Sequence, residues 1–591
     1  MRTTRPEIRG SFGAVASTHF LASQSGMAML ERGGNAFDAA TAAGFVLQVV
    51  EPHQNGLGGD MPAIAYDAKA DRLFALCAQG PAPAGASIAA YAALGVDMIP
   101  GTGLLAAVVP GAFDGWMVLL RDHGSMRLRE VMEPAIHYAR AGYAVTPALA
   151  GFIGEVAELL KANWPSSAAV YLNAGKAPEI GSTQCNAALA DTYERLVREG
   201  EAAGTDRIAQ IEAARNAYYR GFVAERIDRF CATTDVPDST GRSHRGFLNW
   251  DDMASYGASY ESPAVYDYRG YTIAKTGPWG QGPAMLQALA LLKGFDLDAM
   301  EPAGAPFIHT VTECLKLALA DREAYYGDPA ASGVPLAELL SDSYNDARRK
   351  LVTREASRAL RPGEIGGRAP RMALHVTGGD GARVARKGEG EPNALRLGAS
   401  DTVNVNAVDR FGNLVSCMPS GGWLQSSPVI PELGFCLGTR AQMFWLEEGL
   451  PASLVPRTRP RTTLTPGLAL RNGTPYMAFG SPGGDHQDQW ALQLFLRHVH
   501  YGHDLQEAIE QSAFMTDHAP SSFYPRQAKP AHLAVEDRIA PETKEDLTRR
   551  GHELDMRGPW TIGRLCAVAR EGAMVKAAAS PRTEQGYAVG R

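Results

Sequence analysis

The stretch DTVNVNAVDRFGNLVSCM, residues 401–418, decides the fold class of this chain. Every second residue from Val403 to Ala407 is apolar, so these side chains share one face of a predicted strand. A polar turn follows at Asp409–Asn413, and apolar residues return from Leu414 to Met418. We therefore expect two consecutive strands here, and the residues after about 400 are predicted to continue as strands.

A hairpin is the clearest signal further downstream. The apolar runs Leu468–Leu470 and Tyr476–Phe479 flank Arg471–Thr474, whose central Asn-Gly pair favours a two-residue turn. Upstream of the opening stretch the pattern is helical instead. Residues 21–50 predict two helices separated by a Gly-Gly-Asn break, and residues 110–198 are mostly helical.

Residues 350–400 differ in composition from both flanks. They contain Gly-Gly, Gly-Asp-Gly and the polar run Lys387–Pro392, with little apolar periodicity, which is typical of a flexible linker. The linker leads to Asp401-Thr402, which on its own is an ordinary polar pair before a strand. A threonine at an N-terminus, however, carries its own base in its α-amine. Self-cleavage at this junction would create such a residue, although no spacing in the sequence proves it.

The composition excludes several classes of protein. Of 591 residues 45% are apolar, enough for a large core, and the net charge of -7 gives no reason to bind nucleic acid. No secretory signal is visible near Met1, and the apolar stretch Ala36–Val50 is too short to span a bilayer. The seven cysteines are scattered without a CxxC motif, which indicates reduced thiols. We therefore expect a cytoplasmic protein with no membrane partner.

The common cofactor and metal signatures are missing from the sequence. It has no Walker loop, no HExxH motif and no GxGxxG at a strand-to-helix turn. His498, His500 and His503 lie close together, but their context favours surface or capping roles over metal binding. The run Gly480–Gly484 could direct two backbone N–H groups at one oxyanion, although alone it favours an ordinary turn.

Several motifs in a fixed order carry a resemblance to a known family. They are Glu31–Ala40, Glu51–His53 with Gly56–Gly59, Val109–Gly111, Tyr219–Gly221, Ala320–Arg322 with Gly327–Pro329, Asp401-Thr402 with Val408–Asn413, Arg459–Pro466, and Gly480–Gly484. Each is weak alone, but the ordered set resembles the γ-glutamyltranspeptidase family, a branch of the N-terminal-nucleophile hydrolases. The similarity runs from Ala14 to the C-terminal end, with an insertion near 233–244.

The resemblance implies an α+β fold, a four-layer αββα sandwich, as one intertwined unit. It also implies autocatalytic cleavage between Asp401 and Thr402. The products would be a large region, 1–401, ending in the linker at about 350–401, and a small region, 402–591. These fragments would stay together as a heterodimer, alone or in pairs. No cofactor or metal is implied, because the nucleophile and its base share one residue.

The same resemblance assigns the catalytic residues. The Thr402 hydroxyl is the nucleophile, and its freed α-amine is the general base. Ser420 stands where the family has a second threonine that supports the nucleophile. The N–H groups of Gly483 and Gly484 would hold the oxyanion. The implied substrate is a small-molecule amide whose acyl group passes to water or to an amine acceptor.

The chain departs from the family where the α-amino-acid end of the substrate binds. Gln79 stands in place of an arginine that clamps the α-carboxylate, and a glutamine cannot form that bidentate charged pair. Met443 stands in place of an acidic residue that holds the α-amine, and a cation, Arg440, enters the same segment. An ammonium would therefore lose its partner and meet a like charge.

Three functions stay open after these departures. We favour an amidohydrolase of the divergent acylase branch, in which Arg440 or Arg461 holds an anionic acyl group without an α-amine. Thr462 and Thr463 keep the hydroxyls of a serine pair that helps to hold the substrate in the family. The alternative is a true γ-glutamyltransferase or glutathione hydrolase. The third is a non-processing binding protein on the same scaffold, against which the retained Thr402 argues.

Overall fold

A computed structural model of the chain describes residues 3–377 and 402–591. Within these residues the strands are β1 Ile8–Gly10, β2 Gly13–Ser17, β3 Ala63–Asp67, β4 Arg72–Cys77, β5 Tyr143–Ala144, β6 Thr183–Gln184, β7 Val236–Pro237, β8 Ser243–His244, β9 Ser259–Glu261, β10 Ala264–Tyr268, β11 Tyr271–Lys275, β12 Val405–Asp409, β13 Leu414–Cys417, β14 Gly467–Arg471, β15 Thr474–Gly480, β16 Phe514–Met515, β17 His532–Glu536, β18 Glu553–Arg557, β19 Cys566–Glu571, β20 Met574–Ala579 and β21 Tyr587–Gly590. The helices are α1 Phe20–Glu31, α2 Ala36–Val50, α3 Ile88–Ala93, α4 Ala112–His123, α5 Leu128–Ala141, α6 Pro147–Asn163, α7 Pro165–Tyr171, α8 Ala187–Glu201, α9 Arg207–Tyr219, α10 Phe222–Thr233, α11 Trp250–Ala254, α12 Gly282–Leu292, α13 Ala305–Tyr325, α14 Leu336–Leu339, α15 Asp342–Arg349, α16 Leu374–Thr377, α17 Gln487–Tyr501, α18 Leu505–Glu510 and α19 Pro541–Arg549.

Two seven-stranded antiparallel sheets form the centre of the molecule. The first has the strand order β1-β20-β19-β15-β14-β11-β10, and the second has the order β21-β2-β12-β13-β3-β4-β9. In the second sheet, Ala407 of β12 pairs with Val15 of β2 on one side and with Val415 of β13 on the other. Each sheet therefore combines strands from before residue 378 with strands from after residue 401.

Apolar cores on both sides of each sheet create four layers. Small side chains such as Ala16, Ala478 and Val568 fill the space between the two sheets. The outer face of the second sheet packs against helices that include α1, α2 and α4. The outer face of the first sheet packs against helices that include α12, α13 and α17. The predicted αββα sandwich is confirmed.

The local patterns of the opening stretch and the hairpin are also confirmed. Val403, Val405 and Ala407 all lie in the core beneath helices α1 and α2. The hairpin joins β14 to β15 through Asn472 and Gly473, whose φ angles of +50° and +78° suit a turn that favours these two residue types. Both features depend on sequence-local chemistry, which is why the residues alone predict them.

The expectation of strands throughout the region after 400 is wrong. Three helices, α17, α18 and α19, lie between its strands. Every residue of α17 from Gln487 to Arg497 is buried, so this helix lacks the exposed polar stripe that identifies a surface helix in a sequence. Among residues 3–377 and 402–591, no helix combines the length and the apolar character needed to cross a bilayer.

The described part of the predicted linker, residues 350–377, contacts helix α13. The Gly363 N–H donates to Asp321 Oδ1 over 2.7 Å, and the Lys316 ammonium donates to the Ser357 carbonyl over 2.6 Å. Asp401, with the rest of the linker from residue 378, lies outside the described residues.

Candidate active site

Thr402 lies three residues before β12, and its side chain is completely buried. Its backbone forms an antiparallel bridge with Ser420, and the next N–H, of Val403, donates to the Pro419 carbonyl over 3.1 Å. This pairing brings Thr402 Oγ1 to 3.0 Å from Ser420 Oγ. The two hydroxyls singled out in the sequence are therefore hydrogen-bonded neighbours.

The glycine-rich loop that ends at Asp60 holds the backbone of Ser420. The Asp60 N–H donates to the Ser420 carbonyl over 2.8 Å, and the Ser420 N–H donates to the Asp60 carbonyl over 3.0 Å. A Cβ atom on Gly59 would lie 2.0 Å from the Ser420 carbonyl oxygen, so only glycine fits there. The loop predicted at Gly56–Gly59 thus fixes the position of the second hydroxyl.

Gly483 and Gly484 belong to a turn that follows a strand of the other sheet. They follow the end of β15 and have φ angles of +127° and +53°, which side chains rarely adopt. A short 3₁₀ turn, Gly484–His486, leads directly into α17, whose first residue is Gln487. The Gln487 Nε2–H donates to Thr402 Oγ1 over 3.3 Å, so the turn that holds the two glycines is tied to the threonine.

Gln487 was not singled out in the sequence. Its burial and its contact with Thr402 depend on α17, which the residue pattern did not predict. Its place three residues after the glycine pair was the only available signal.

Arg564 is a second site residue that the sequence did not indicate. Its guanidinium donates to the Thr402 carbonyl over 3.3 Å and to Gln54 Oε1 over 2.8 Å, and lies 3.8 Å from the buried Glu51 carboxylate. Burial raises the pKa of Glu51, and the charge of Arg564 opposes that rise. Glu51 and Gln54, near the start of the chain, and Arg564, near its end, therefore meet at the backbone of Thr402.

Arg440 is paired with a carboxylate rather than presented as an isolated cation. Its Nε donates to Asp60 Oδ2 over 3.0 Å, and its guanidinium lies 4.9 Å from the centre of the Trp423 ring. Both charged side chains are almost completely buried. Arg440 NH1 is also buried and has no hydrogen-bond partner within the two described ranges. Met443, the last residue of the 3₁₀ turn Arg440–Met443, is buried and supplies no charge.

Arg461 has a similar environment on the neighbouring segment. Its NH2 donates to Glu323 Oε2 over 3.1 Å, and its NH1 is buried without a partner among residues 3–377 and 402–591. Burial lowers the pKa of Arg461, and the charge of Glu323 opposes that effect. Both arginines that the sequence offers for an anion are thus already paired with one carboxylate each.

The remaining predicted substrate residues lie on the segment of Arg461 or against it. The Gln79 side-chain N–H donates to the Pro460 carbonyl, and the Thr462 N–H donates to the Trp279 carbonyl over 2.8 Å. The Thr463 hydroxyl is buried, with no hydrogen-bond partner in the described part of the chain. Gln79 therefore lies against the segment that carries the two threonines.

His498 and His500 bond to groups outside the candidate site. His498 bonds to the Tyr476 hydroxyl, and His500 bonds to Asp298, both over 2.7 Å. Elsewhere, His309, Glu313 and His552 bring potential ligand atoms within 4.8 Å of one another. His309 Nδ1 already bonds to His552 Nε2 over 2.9 Å, and the Glu313 carboxylate contacts Lys316 and Arg361. This group is a hydrogen-bond network that holds the described part of the linker.

The family model for gamma-glutamyltranspeptidase matches residues 22–590. The chain belongs to the γ-glutamyltranspeptidase family. It is therefore an enzyme of the amidohydrolase and acyltransferase type.

Three proteins of known sequence or structure illustrate what the chain is similar to. The solved structure titled LmbA2991T421A is 51% identical with a TM-score of 0.94, and the match covers 100% of both chains. The cephalosporin acylase from Bacillus halodurans is 27% identical with a TM-score of 0.83, over 100% of this chain and 97% of that one. The glutathione hydrolase-like YwrD proenzyme of Bacillus subtilis is 29% identical over 99% of both chains.

Proposed function

We propose that the chain cuts itself between Asp401 and Thr402 and then hydrolyses an amide through an acyl-threonine intermediate. The observation that carries this proposal is the buried Thr402 hydroxyl at 3.0 Å from Ser420 Oγ, tied through Gln487 to the turn of the glycine pair. A hydroxyl nucleophile, a supporting hydroxyl and a pair of backbone donors are the groups that acyl transfer requires.

Self-cleavage uses the same hydroxyl as the later reaction. The Thr402 Oγ1 attacks the Asp401 carbonyl carbon, and the peptide bond rearranges to an ester while the nitrogen of Thr402 becomes an amine. Water then hydrolyses the ester, which leaves fragments 1–401 and 402–591 together as a heterodimer. The two sheets, which draw strands from both fragments, support this association.

In the mature enzyme, the α-amine of Thr402 takes the proton of its own hydroxyl. The oxygen attacks the substrate amide, and the N–H groups of Gly483 and Gly484 receive the oxyanion. Removing one such donor typically slows a reaction ~10²–10³-fold. The amine returns the proton to the leaving nitrogen, and water or an acceptor amine resolves the acyl ester. The cycle needs neither a metal nor a cofactor.

The acyl group is proposed to lack an α-amine. Met443 offers no carboxylate to an ammonium, and Asp60 is already bound by Arg440. A carboxylate on the acyl chain would instead find the NH1 group of Arg440 or of Arg461. A buried charge without a partner costs several kcal/mol, so a γ-glutamyl ammonium would bind poorly. The alternative function is that of a true γ-glutamyltransferase or glutathione hydrolase.

Two p-nitroanilides that differ only in the α-amine test this proposal. We expect glutaryl-p-nitroanilide to be hydrolysed with a kcat/KM at least about 10-fold above that of γ-L-glutamyl-p-nitroanilide, because one unpaired ammonium separates them. A preference for the γ-glutamyl compound would favour the glutathione hydrolase alternative. A chain that stays uncut and inert toward both would favour the binding protein.

A further inference from the structure

Gln487 contacts the nucleophile directly, yet the reaction described above gives it no task. Its Nε2–H donates to Thr402 Oγ1 over 3.3 Å, and the same oxygen lies 3.0 Å from Ser420 Oγ. The side chain is completely buried. Its position is fixed because α17 begins directly after the turn that carries the glycine pair.

The other polar atom of this amide is unsatisfied. Gln487 Oε1 is buried and accepts no hydrogen bond from residues 3–377 or 402–591. A buried acceptor without a donor costs about 1–3 kcal/mol, so such an atom in a folded protein requires an explanation. The two ends of an amide are close together, as are the hydroxyl and the nitrogen of one threonine. Because Oε1 is bonded to the same carbon as the Nε2 that reaches Thr402 Oγ1, the unsatisfied oxygen lies close to the Thr402 side chain.

We infer that Gln487 is a positioning residue for both reacting groups of Thr402. Its N–H holds the hydroxyl oxygen, and its Oε1 accepts a hydrogen bond from the α-amine that cleavage releases. The inference rests on the proposed function, because only the cleaved chain has that amine. The unsatisfied acceptor of the intact chain thus obtains its donor in the mature enzyme.

The acylation step explains why both contacts matter. The proton of the Thr402 hydroxyl passes to the α-amine, which becomes an ammonium. The oxygen forms a bond to the substrate carbonyl carbon, and the π electron pair of that carbonyl moves to its own oxygen. Gln487 neither gains nor loses a proton. Its N–H stabilises Oγ1 as negative charge develops there, and its carbonyl stabilises the ammonium.

The charged groups around Thr402 determine how a new charge at position 487 would act. Arg564 lies against the Thr402 carbonyl and is 3.8 Å from Glu51. Asp488, the next residue of α17, lies 3.1 Å from the buried Lys275 ammonium. Each of these cations already faces a carboxylate. A carboxylate at 487 would therefore add a net negative charge beside the amine and favour its protonated form.

The test compares Gln487→Leu and Gln487→Glu with Gln493→Leu as a matched control. Gln493 is equally buried on α17, but its amide donates to the Phe514 carbonyl over 2.7 Å. Glutaryl-p-nitroanilide is the probe, with γ-L-glutamyl-p-nitroanilide in parallel. The wild type is first sequenced to verify cleavage before Thr402.

We expect kcat of Gln487→Leu to fall about 10²-fold, because it loses a donor to the reacting oxygen, while KM changes less than twofold. Gln493→Leu should keep the kcat of the wild type. The acidic limb of the kcat–pH profile reports the α-amine, and in Gln487→Glu it should move upward by about one pH unit.

Equal kcat values for Gln487→Leu and Gln493→Leu, with an unmoved acidic limb in Gln487→Glu, would overturn the inference and leave the proposed function intact. A wild type that is uncut and inert would overturn the proposed function instead. If Gln487→Leu fails to fold, the acidic limb of Gln487→Glu decides alone. If Gln487→Leu folds as stably as the control but stays uncut, that failure supports the contact with Oγ1.

Discussion

The site has two halves that differ in what they retain. In the proposed nucleophile half, Thr402, Ser420 and the pair Gly483–Gly484 keep the two hydroxyls and the backbone N–H groups that the proposed acyl transfer uses. In the acyl-binding half, Gln79 and Met443 replace charged residues that the family resemblance leads one to expect. The reaction is thus decided in one half and the substrate in the other, which is how one scaffold accommodates several amidohydrolase activities.

The two halves also differ in the groups that contact their key atoms. The acyl-binding half holds buried arginine–carboxylate pairs, Arg440 with Asp60 and Arg461 with Glu323. Such pairs are costly to bury and costly to break, so each is a constraint on what the site can bind. The nucleophile half also holds a buried pair, Arg564 with Glu51, but Arg564 contacts the Thr402 carbonyl. The Thr402 Oγ1 atom itself contacts two neutral groups, the Ser420 hydroxyl and the Gln487 amide. Neutral donors suit a hydroxyl that must lose its proton to a neutral amine.

Thr402→Ala removes the proposed nucleophile and has the largest expected effect on cleavage and hydrolysis. The variant should remain a single chain and should hydrolyse glutaryl-p-nitroanilide at least about 10³-fold more slowly, since it has no nucleophile. Gel electrophoresis and initial rates measure both outcomes. Thr402→Ser, which keeps the hydroxyl, is the control and should cut and turn over. Hydrolysis by uncut Thr402→Ala at the wild-type rate would contradict the assignment.

Asp60→Asn tests the acyl-binding half by leaving Arg440 buried without its carboxylate. We expect the free energy of unfolding to fall by about 3–5 kcal/mol, because breaking one side of a buried pair exposes the full desolvation cost. Urea denaturation measures the change. The double variant Asp60→Asn with Arg440→Gln removes both charges and should recover most of the loss. If the double variant is no more stable than Asp60→Asn alone, the pair does not act as described.

The ion pair of Glu536 with Arg582, near the segment of Arg564, predicts that stability depends on pH. Glu536 accepts from Arg582 and from the Ile562 N–H, two residues before Arg564. Although burial alone would raise the pKa of Glu536, these partners lower it to about 2. Its folded pKa lies below its unfolded value, so this stabilisation is complete above about 4.5 and is lost as the pH falls through about 2.

The expected contribution of Glu536 is about 3 kcal/mol at neutral pH. The difference in unfolding free energy between the wild type and Glu536→Gln should therefore shrink as the pH falls from 5 toward 2. Urea titrations at several pH values measure this difference. Glu545→Gln is the control, because the Glu545 carboxylate on α19 forms no ion pair within the described ranges. A difference that does not change with pH would contradict the role of this ion pair.

The double variant Met443→Asp with Gln79→Arg tests the acyl-binding half and has the smallest expected effect. These changes restore the two charged groups that the family uses for an α-amino acid. We expect the preference for the glutaryl over the γ-glutamyl probe to shrink about 10-fold, since the ammonium gains a carboxylate partner. The ratio of the two kcat/KM values is the readout. An unchanged ratio would show that other residues set the specificity. Thr462→Ser, which keeps the hydroxyl, is the control.

The sequence predicts features whose cause is local. The alternation from Val403 to Ala407 and the Asn472-Gly473 turn follow from side-chain period and turn chemistry, and the structure confirms both. The hydroxyl pair, Thr402 with Ser420, is instead implied by the family resemblance and not by a local pattern, and the geometry brings the two together.

The contacts that the sequence does not predict join distant segments. Asp60 meets Arg440, and Arg564 meets Gln54, across hundreds of residues, because each sheet combines strands from both ends of the chain. Gln487 was missed because its helix is buried on all sides and gives no amphipathic signal. Long-range partners of this kind come from the topology and not from the residues beside them.

The most direct test of the central claim is an intact mass with N-terminal sequencing of freshly purified wild-type protein. The account predicts two species, the smaller of which begins at Thr402 and ends at Arg591. Cleavage at that bond creates the α-amine on which the whole mechanism depends. A single uncut chain, or a cut that leaves Thr402 inside a fragment, would contradict it.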